Sequence, residues 1–240
     1  MFYKNLKLMI FGIVFSTNFF IVNSKESELN LITPSCSVEK IQNNLTIFQG
    51  CGPRIGDSAP NFRADTTEGL INFPEDFAGK WIILLSHPSD FTPVCTTEFK
   101  KLAEINSELK KSICQLVGLS VDSTFTHKIW QNKLNAESSR KVDFPIISDP
   151  KGKIARLYGM IHPNESKIQT VRSTFFIDPK LKIRAIFHYP SSNGRNFDEI
   201  KRLLYALQIS EKDNVATPAN WNPGDKTISM EGVTKDVMPD

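Results

Sequence analysis

The run Trp81-Ile82-Ile83-Leu84-Leu85-Ser86, followed at once by His87-Pro88-Ser89-Asp90-Phe91-Thr92-Pro93-Val94-Cys95-Thr96-Thr97-Glu98, decides how the chain folds. A continuous apolar run of this length reads as a strand buried on both faces, as in a sheet covered by helices. After a short loop, Thr92-Pro93 reads as an N-cap followed by proline at the first helical position. Phe99, Leu102, Ile105 and Leu109 then recur at helical spacing, and Lys110-Lys111 sit at the end. Cys95 therefore falls in the first turn of a helix. Unpaired backbone N–H groups and the positive end of the helix dipole gather there. Both favour thiolate, the reactive form of cysteine, over thiol. A buried, inert cysteine is the alternative, since cysteine is commonly buried. The strand–loop–helix context and the proline pair, Pro88 and Pro93, favour the reactive reading.

Outward from this centre, 113–121 is again strand-like and 125–134 fits a short helix. Residues 144–148 form a short strand, and 152–158 a helix-like turn. Strands at 173–177 and 182–189 flank a turn at Asp178-Pro179-Lys180. Asn196 with Glu199 three positions on is a capping-box pattern opening an amphipathic helix to about Gln208. Strands alternating with helices predict an α/β layered fold. Residues 53–215 make its domain. Residues 25–52 are a polar linker holding Cys36 and Cys51, and 216–240, rich in Pro, Gly and Asp, is an arm packed on the surface.

The amino terminus reads as a targeting segment. Lys4 and Lys7 precede a mainly apolar run from Leu8 to Val22, short of the about 20 residues a membrane span needs. Val22 and Ser24 stand where a signal peptidase cuts, so 1–24 is expected to be a signal peptide directing the chain into the secretory pathway. An uncleaved anchor or an organelle transit peptide is the alternative; transit peptides are usually rich in arginine, and this segment has none. No other stretch approaches membrane length. Hydrophobic residues make up 40% and charged residues 23%, a globular balance. The formal charge is +3, to which Lys4 and Lys7 contribute two. The basic residues are scattered and form no stripe for nucleic acid.

Pro88, Thr92 and Cys95 match the Pro-x-x-x-Thr-x-x-Cys motif of peroxiredoxins, and the string 87–98 resembles the one-cysteine, peroxiredoxin-six subfamily. Gly56-Asp57-Ser58-Ala59-Pro60-Asn61-Phe62 resembles the start of that domain. Gly194-Arg195-Asn196-Phe197-Asp198-Glu199-Ile200 and Ala216-Thr217-Pro218-Ala219-Asn220-Trp221 resemble its C-terminal part. The resemblance covers about 53–225. It implies a thioredoxin-like fold, a central mixed sheet flanked by helices, with a C-terminal extension. It also implies a thiol peroxidase that reduces hydrogen peroxide and organic hydroperoxides, in antioxidant defence and redox homeostasis.

By the same resemblance Cys95 is the peroxidatic cysteine, which attacks the peroxide and becomes a sulfenic acid. Thr92 supplies a hydroxyl to thiolate and peroxide, Pro88 shields the site from water, and Arg172 activates the thiol and orients the peroxide. Glu98 and Arg195 hold Arg172, and His87 is a subfamily-specific neighbour. For Arg195 a solvated cation, and for His87 a satisfied loop residue, are the alternatives. The family implies no cofactor or metal, and a homodimer, with a larger ring as the alternative.

Two-cysteine relatives carry a resolving cysteine just before the Pro-Ala-Asn-Trp string, where this chain has Thr217. The sulfenate is then resolved by an external thiol, from the glutathione or thioredoxin system. Cys114, in an apolar strand, reads as a buried structural thiol. Cys36 and Cys51 form a disulfide with each other or supply a resolving thiol. A redox-regulated chaperone on the same fold is the competing function. A disulfide oxidoreductase would want a Cys-x-x-Cys pair, and no second cysteine stands near Cys95.

Overall fold

The computed structural model describes residues 52–231 and the backbone of two short strands, β1 (Ser37–Ile41) and β2 (Leu45–Gln49), which pair antiparallel. Residues 1–24, Cys36, Cys51 and 232–240 lie outside the described residues. The polar stretch 25–52 thus contains two paired strands. Its sequence carries the means: Val38, Ile41, Thr46 and Ile47 favour strand.

The principal sheet has seven strands. In chain order they are β3 (Phe62–Thr66), β4 (Gly69–Phe73), β5 (Trp81–Ser86), β6 (Cys114–Ser120), β7 (Ile146–Ser148), β8 (Arg172–Ile177) and β9 (Ile183–Tyr189). Their spatial order is β4-β3-β7-β6-β5-β8-β9. β5, β6 and β7 run parallel, while β3–β7, β3–β4, β5–β8 and β8–β9 are antiparallel, so the sheet is mixed. The helices are α1 (Pro93–Lys111), α2 (Thr124–Glu137), α3 (Lys153–Leu157) and α4 (Phe197–Asp213). This is the α/β architecture predicted from the alternation of elements.

β5 accounts for the apolar run at the centre of the sequence. Ile83 and Leu85 point into a core with Phe99 and Leu102 of α1, Trp130 of α2 and Leu204 of α4. Ile82 and Leu84 point the opposite way, into a second core with Val117, Phe175 and Tyr158. Both faces of the strand are covered, so alternation has no polar side to show. Each such side chain contributes roughly 1.5–3 kcal/mol on burial.

Two expected caps differ in detail. Thr92 stands at the N-cap of α1, but its hydroxyl does not cap the helix; it donates to the Ser89 carbonyl at 3.0 Å. Asn196 caps α4 by accepting from the Asp198 and Glu199 N–H groups, yet Glu199 does not complete the box, because its carboxylate is engaged by Arg202 at 2.5 and 2.8 Å. A guanidinium one helical turn away offers a charge-assisted pair that a backbone N–H does not match. Beyond α4, Trp221 is buried and its carbonyl accepts from Arg202 Nη1 at 2.8 Å, which fixes the start of the C-terminal arm. A two-residue strand β10 (Val215–Ala216) pairs there with β11 (Ile228–Ser229).

Candidate active site

β5 delivers the chain to the site and a single hydroxyl joins it to β8. The Ser86 hydroxyl donates to the Val171 carbonyl at 2.6 Å and accepts from the Ser173 N–H at 3.0 Å. The regular β5–β8 ladder extends only to Leu85 and Thr174, so this contact extends the attachment by side chain and brings Arg172 alongside the start of α1. The loop then passes Pro88, which is buried, and reverses at Phe91, whose φ of 61° is a strained left-handed conformation for a bulky residue. That reversal lets Asp90 point inward while Thr92 opens the helix.

Cys95 is fully buried in the first turn of α1. Arg172 Nη1 donates to its sulfur at 3.3 Å and to Glu98 Oε2 at 2.9 Å. Glu98 lies one turn along from Cys95 on the same helical face. Arg195 approaches the same carboxylate from the other side, with its backbone N–H and Nε each 2.9 Å from Oε1 and Nη2 2.8 Å from Oε2. Arg195 Nη1 also donates to the Ser173 carbonyl at 2.9 Å. Burial pushes the Glu98 carboxyl up, but the charge and hydrogen bonds of Arg195 and the charge of Arg172 outweigh it and hold it below the ordinary carboxylate value. The other edge of the Arg172 fork is fixed by a carbonyl: Nε and Nη2 donate to Ser191 O at 3.1 and 2.6 Å.

A second buried polar cluster lies beneath the loop. His87 Nε2 and His127 Nδ1 face the two oxygens of Asp90 at 2.8 and 2.7 Å, and His127 Nε2 faces the Ile147 carbonyl at 3.1 Å. Asp122 accepts from the Asp90 N–H at 2.9 Å and from the Ser89 hydroxyl at 3.3 Å, pinning the loop to the end of β6. Burial pushes His87 down from the ordinary histidine value despite Asp90. Burial pushes Asp90 up, but the hydrogen bonds from His127 and His87 prevail and hold it low. The ligand-type atoms of His87, Asp90 and His127 lie within 4.8 Å of one another, the spacing a metal ion would need. Here the hydrogen bonds use both carboxylate oxygens, and the three residues serve as a brace.

The structure therefore gathers Cys95, Glu98, Arg172 and Arg195 into one network, with Arg195 buried in it and not solvated. Pro88 and Thr92 flank the loop that leads to Cys95. His87 makes no hydrogen bond to the sulfur: Nε2 is taken by Asp90, and Nδ1 has no partner among the described residues. Asp90, Asp122, His127 and Ser191 complete the site without having been singled out in the sequence. Asp90 lies inside the decisive stretch; His127 and Asp122 follow β6, where a parallel neighbour of β5 brings its end to the same edge.

Residues 55–186 match the family model of the AhpC/TSA family, and residues 206–236 match the C-terminal domain of 1-Cys peroxiredoxin. The chain is 49% identical over 192 residues to a peroxiredoxin of Methanosarcina mazei, covering 75% of this chain and 88% of that one. Among solved structures it is similar to a peroxiredoxin 6 of Arenicola marina, with a TM-score of 0.72, 36% identity and coverage of 77% and 86%. It is also similar to a yeast mitochondrial 1-Cys peroxiredoxin solved for its thiol resolving mechanism via glutathione/thioredoxin systems, with a TM-score of 0.69, 45% identity and coverage of 74% and 86%.

Proposed function

Because the chain belongs to the AhpC/TSA family and is a thiol peroxidase of the peroxiredoxin class, we propose that its reaction runs through Cys95 with Arg172 as the principal donor. The observation that carries this reading is the 3.3 Å contact from Arg172 Nη1 to the Cys95 sulfur at the N-terminus of α1. The thiolate attacks one oxygen of a hydroperoxide; an S–O bond forms and the O–O bond breaks. The leaving alkoxide or hydroxide takes a proton and departs as alcohol or water, and Cys95 is left as a sulfenic acid. Negative charge grows on the leaving oxygen, where preorganised donors stabilise it most. Arg172 supplies those donors, Glu98 and Arg195 hold it in place, and Pro88 excludes water; for Thr92 to serve the peroxide, its hydroxyl must turn from the Ser89 carbonyl, to which it donates at 3.0 Å.

An external thiol then attacks the sulfenic sulfur, releasing water and forming a mixed disulfide that a second thiol reduces. Likeness to the yeast protein supports the glutathione or thioredoxin system as the source. Thr217 in place of a resolving cysteine supports the one-cysteine cycle. After one equivalent of peroxide, dimedone is expected to label Cys95. Peptide mapping that instead found Cys95 in a disulfide with Cys36, Cys51 or Cys114 would refute the one-cysteine cycle.

Lys4, Lys7 and the apolar run after them support entry into the secretory pathway with cleavage after Ser24. Phe125 and Ile129, four residues apart on α2 and 75% and 46% exposed, with Phe91 nearby at 46%, support a homodimer joined through this apolar face. The protein isolated from its source is expected to begin at Lys25 and to sediment as a dimer. An amino terminus at Met1, or a monomer, would count against the corresponding half of this reading.

A further inference from the structure

The carbonyl that orients Arg172 belongs to an exposed turn, closed at its ends by the Asn193 N–H bond to the Pro190 carbonyl at 3.2 Å. Ser191 follows β9, and its neighbours Ser192, Asn193 and Gly194 are exposed. What ties Ser191 itself is a carboxylate from another loop. Glu165 Oε1 accepts from the Ser191 N–H at 2.9 Å and from the Ser191 hydroxyl at 2.5 Å. Those two bonds hold the Ser191 main chain so that its carbonyl accepts from both Nε and Nη2 of Arg172. We propose that Glu165 is a positioning residue for the peroxidase reaction, acting through the Ser191 main chain to aim the Arg172 guanidinium at Cys95.

The loop that carries Glu165 is built for such a role. It leaves the region of α3 and closes at its base by the Val171 N–H bond to the Met160 carbonyl at 2.8 Å, with both residues buried. Within it, the Glu165 and Ser166 N–H groups both donate to the His162 carbonyl at 2.9 Å, a tight turn that presents the carboxylate. Val171 adjoins Arg172 in the chain. One end of the guanidinium's support is thus covalent, through Val171, and the other runs from the same loop through Glu165 and Ser191. The guanidinium is held on two edges, by Glu98 and by Ser191. Loosening the Ser191 edge lets the fork rotate about its remaining contact, and a displacement of about 1 Å at a reacting group can cost 10²-fold in rate.

The proposal rests on Arg172 serving the reaction at Cys95, and the test separates the two. Stopped-flow rates of peroxide reduction are measured for the full chain and for Glu165→Ala, Glu165→Gln, Arg172→Met and the Glu165→Ala/Arg172→Met pair. Glu165→Ala is expected to slow the reaction about tenfold. In Glu165→Gln the amide oxygen still accepts from the Ser191 N–H and hydroxyl, so most of the rate should return. With Arg172 already removed, Glu165→Ala should cost nothing more, because a positioning residue has nothing left to position. A wild-type rate in Glu165→Ala beside a slow Arg172→Met overturns the role of Glu165 alone. So do losses that multiply in the pair, or a Gln variant as slow as Ala, which would point to charge and not to acceptor geometry. A wild-type rate in Arg172→Met overturns the reading of the site beneath it. Glu165 is exposed, so the variants are expected to fold; should Glu165→Ala melt early, Glu165→Leu, which keeps the bulk and removes the acceptor, replaces it with and without Arg172, and a wild-type rate in Glu165→Leu overturns the role.

Discussion

Replacing Cys95 with serine is expected to remove peroxide consumption down to the rate of the uncatalysed reaction, while Cys114→Ala keeps most of it. The contrast does not follow from exposure, because both sulfurs are buried. It follows from surroundings. Cys114 lies in β6 with no cation near its sulfur among the described residues, and burial pushes its thiol up to about 12. At neutral pH such a thiol is ionised in only about one molecule in 10⁵. Cys95 has a helix N-terminus beneath it and a guanidinium at 3.3 Å. A serine hydroxyl in its place is far less acidic and a poor nucleophile toward oxygen. Peroxide-dependent oxidation of the external thiol is the measurement. Turnover surviving in Cys95→Ser would sink the mechanism, and equal losses in both variants would show that the fold and not the sulfur had been tested.

Arg172→Met is the second large effect, expected at about 10²–10³-fold on the peroxide step, the usual loss when one donor to a developing oxyanion is removed. Methionine has similar length and fills the space without charge. The fold should survive the change, since Glu98 keeps three hydrogen bonds from Arg195 and the β5–β8 attachment runs through Ser86. Stopped-flow mixing at neutral pH gives the rate directly. An unchanged rate would mean that the observed 3.3 Å contact plays no part in turnover.

Much of this was legible in the chain because the decisive features are local. β5 declares itself by six consecutive apolar or small residues, and α1 by proline at its first position and apolar residues three and four apart. Cys95 could be placed in the first turn from that alone. β3 and β4 gave no comparable signal. Their exposed positions are many, and Gly69 begins a strand at an edge of the sheet, where propensity is weak evidence. Ser191 and Glu165 were out of reach for a different reason. Arg172 uses only the main-chain carbonyl of Ser191, which every residue type carries, so no letter marks it. His127 meets Asp90 only because β6 lies next to β5, a fact of topology that its own helix does not advertise.

The sharing of Glu98 between two arginines has a consequence for the ground around the sulfur. Arg172 and Arg195 bring two positive charges into the interior, and Glu98 supplies one negative charge. The cluster is therefore uneven by one, and a buried uncompensated charge is costly. Arg172, which reaches the sulfur at 3.3 Å, carries that surplus to the reacting atoms. Negative charge that grows on the leaving oxygen of a peroxide there meets a cation already in place and short of a partner.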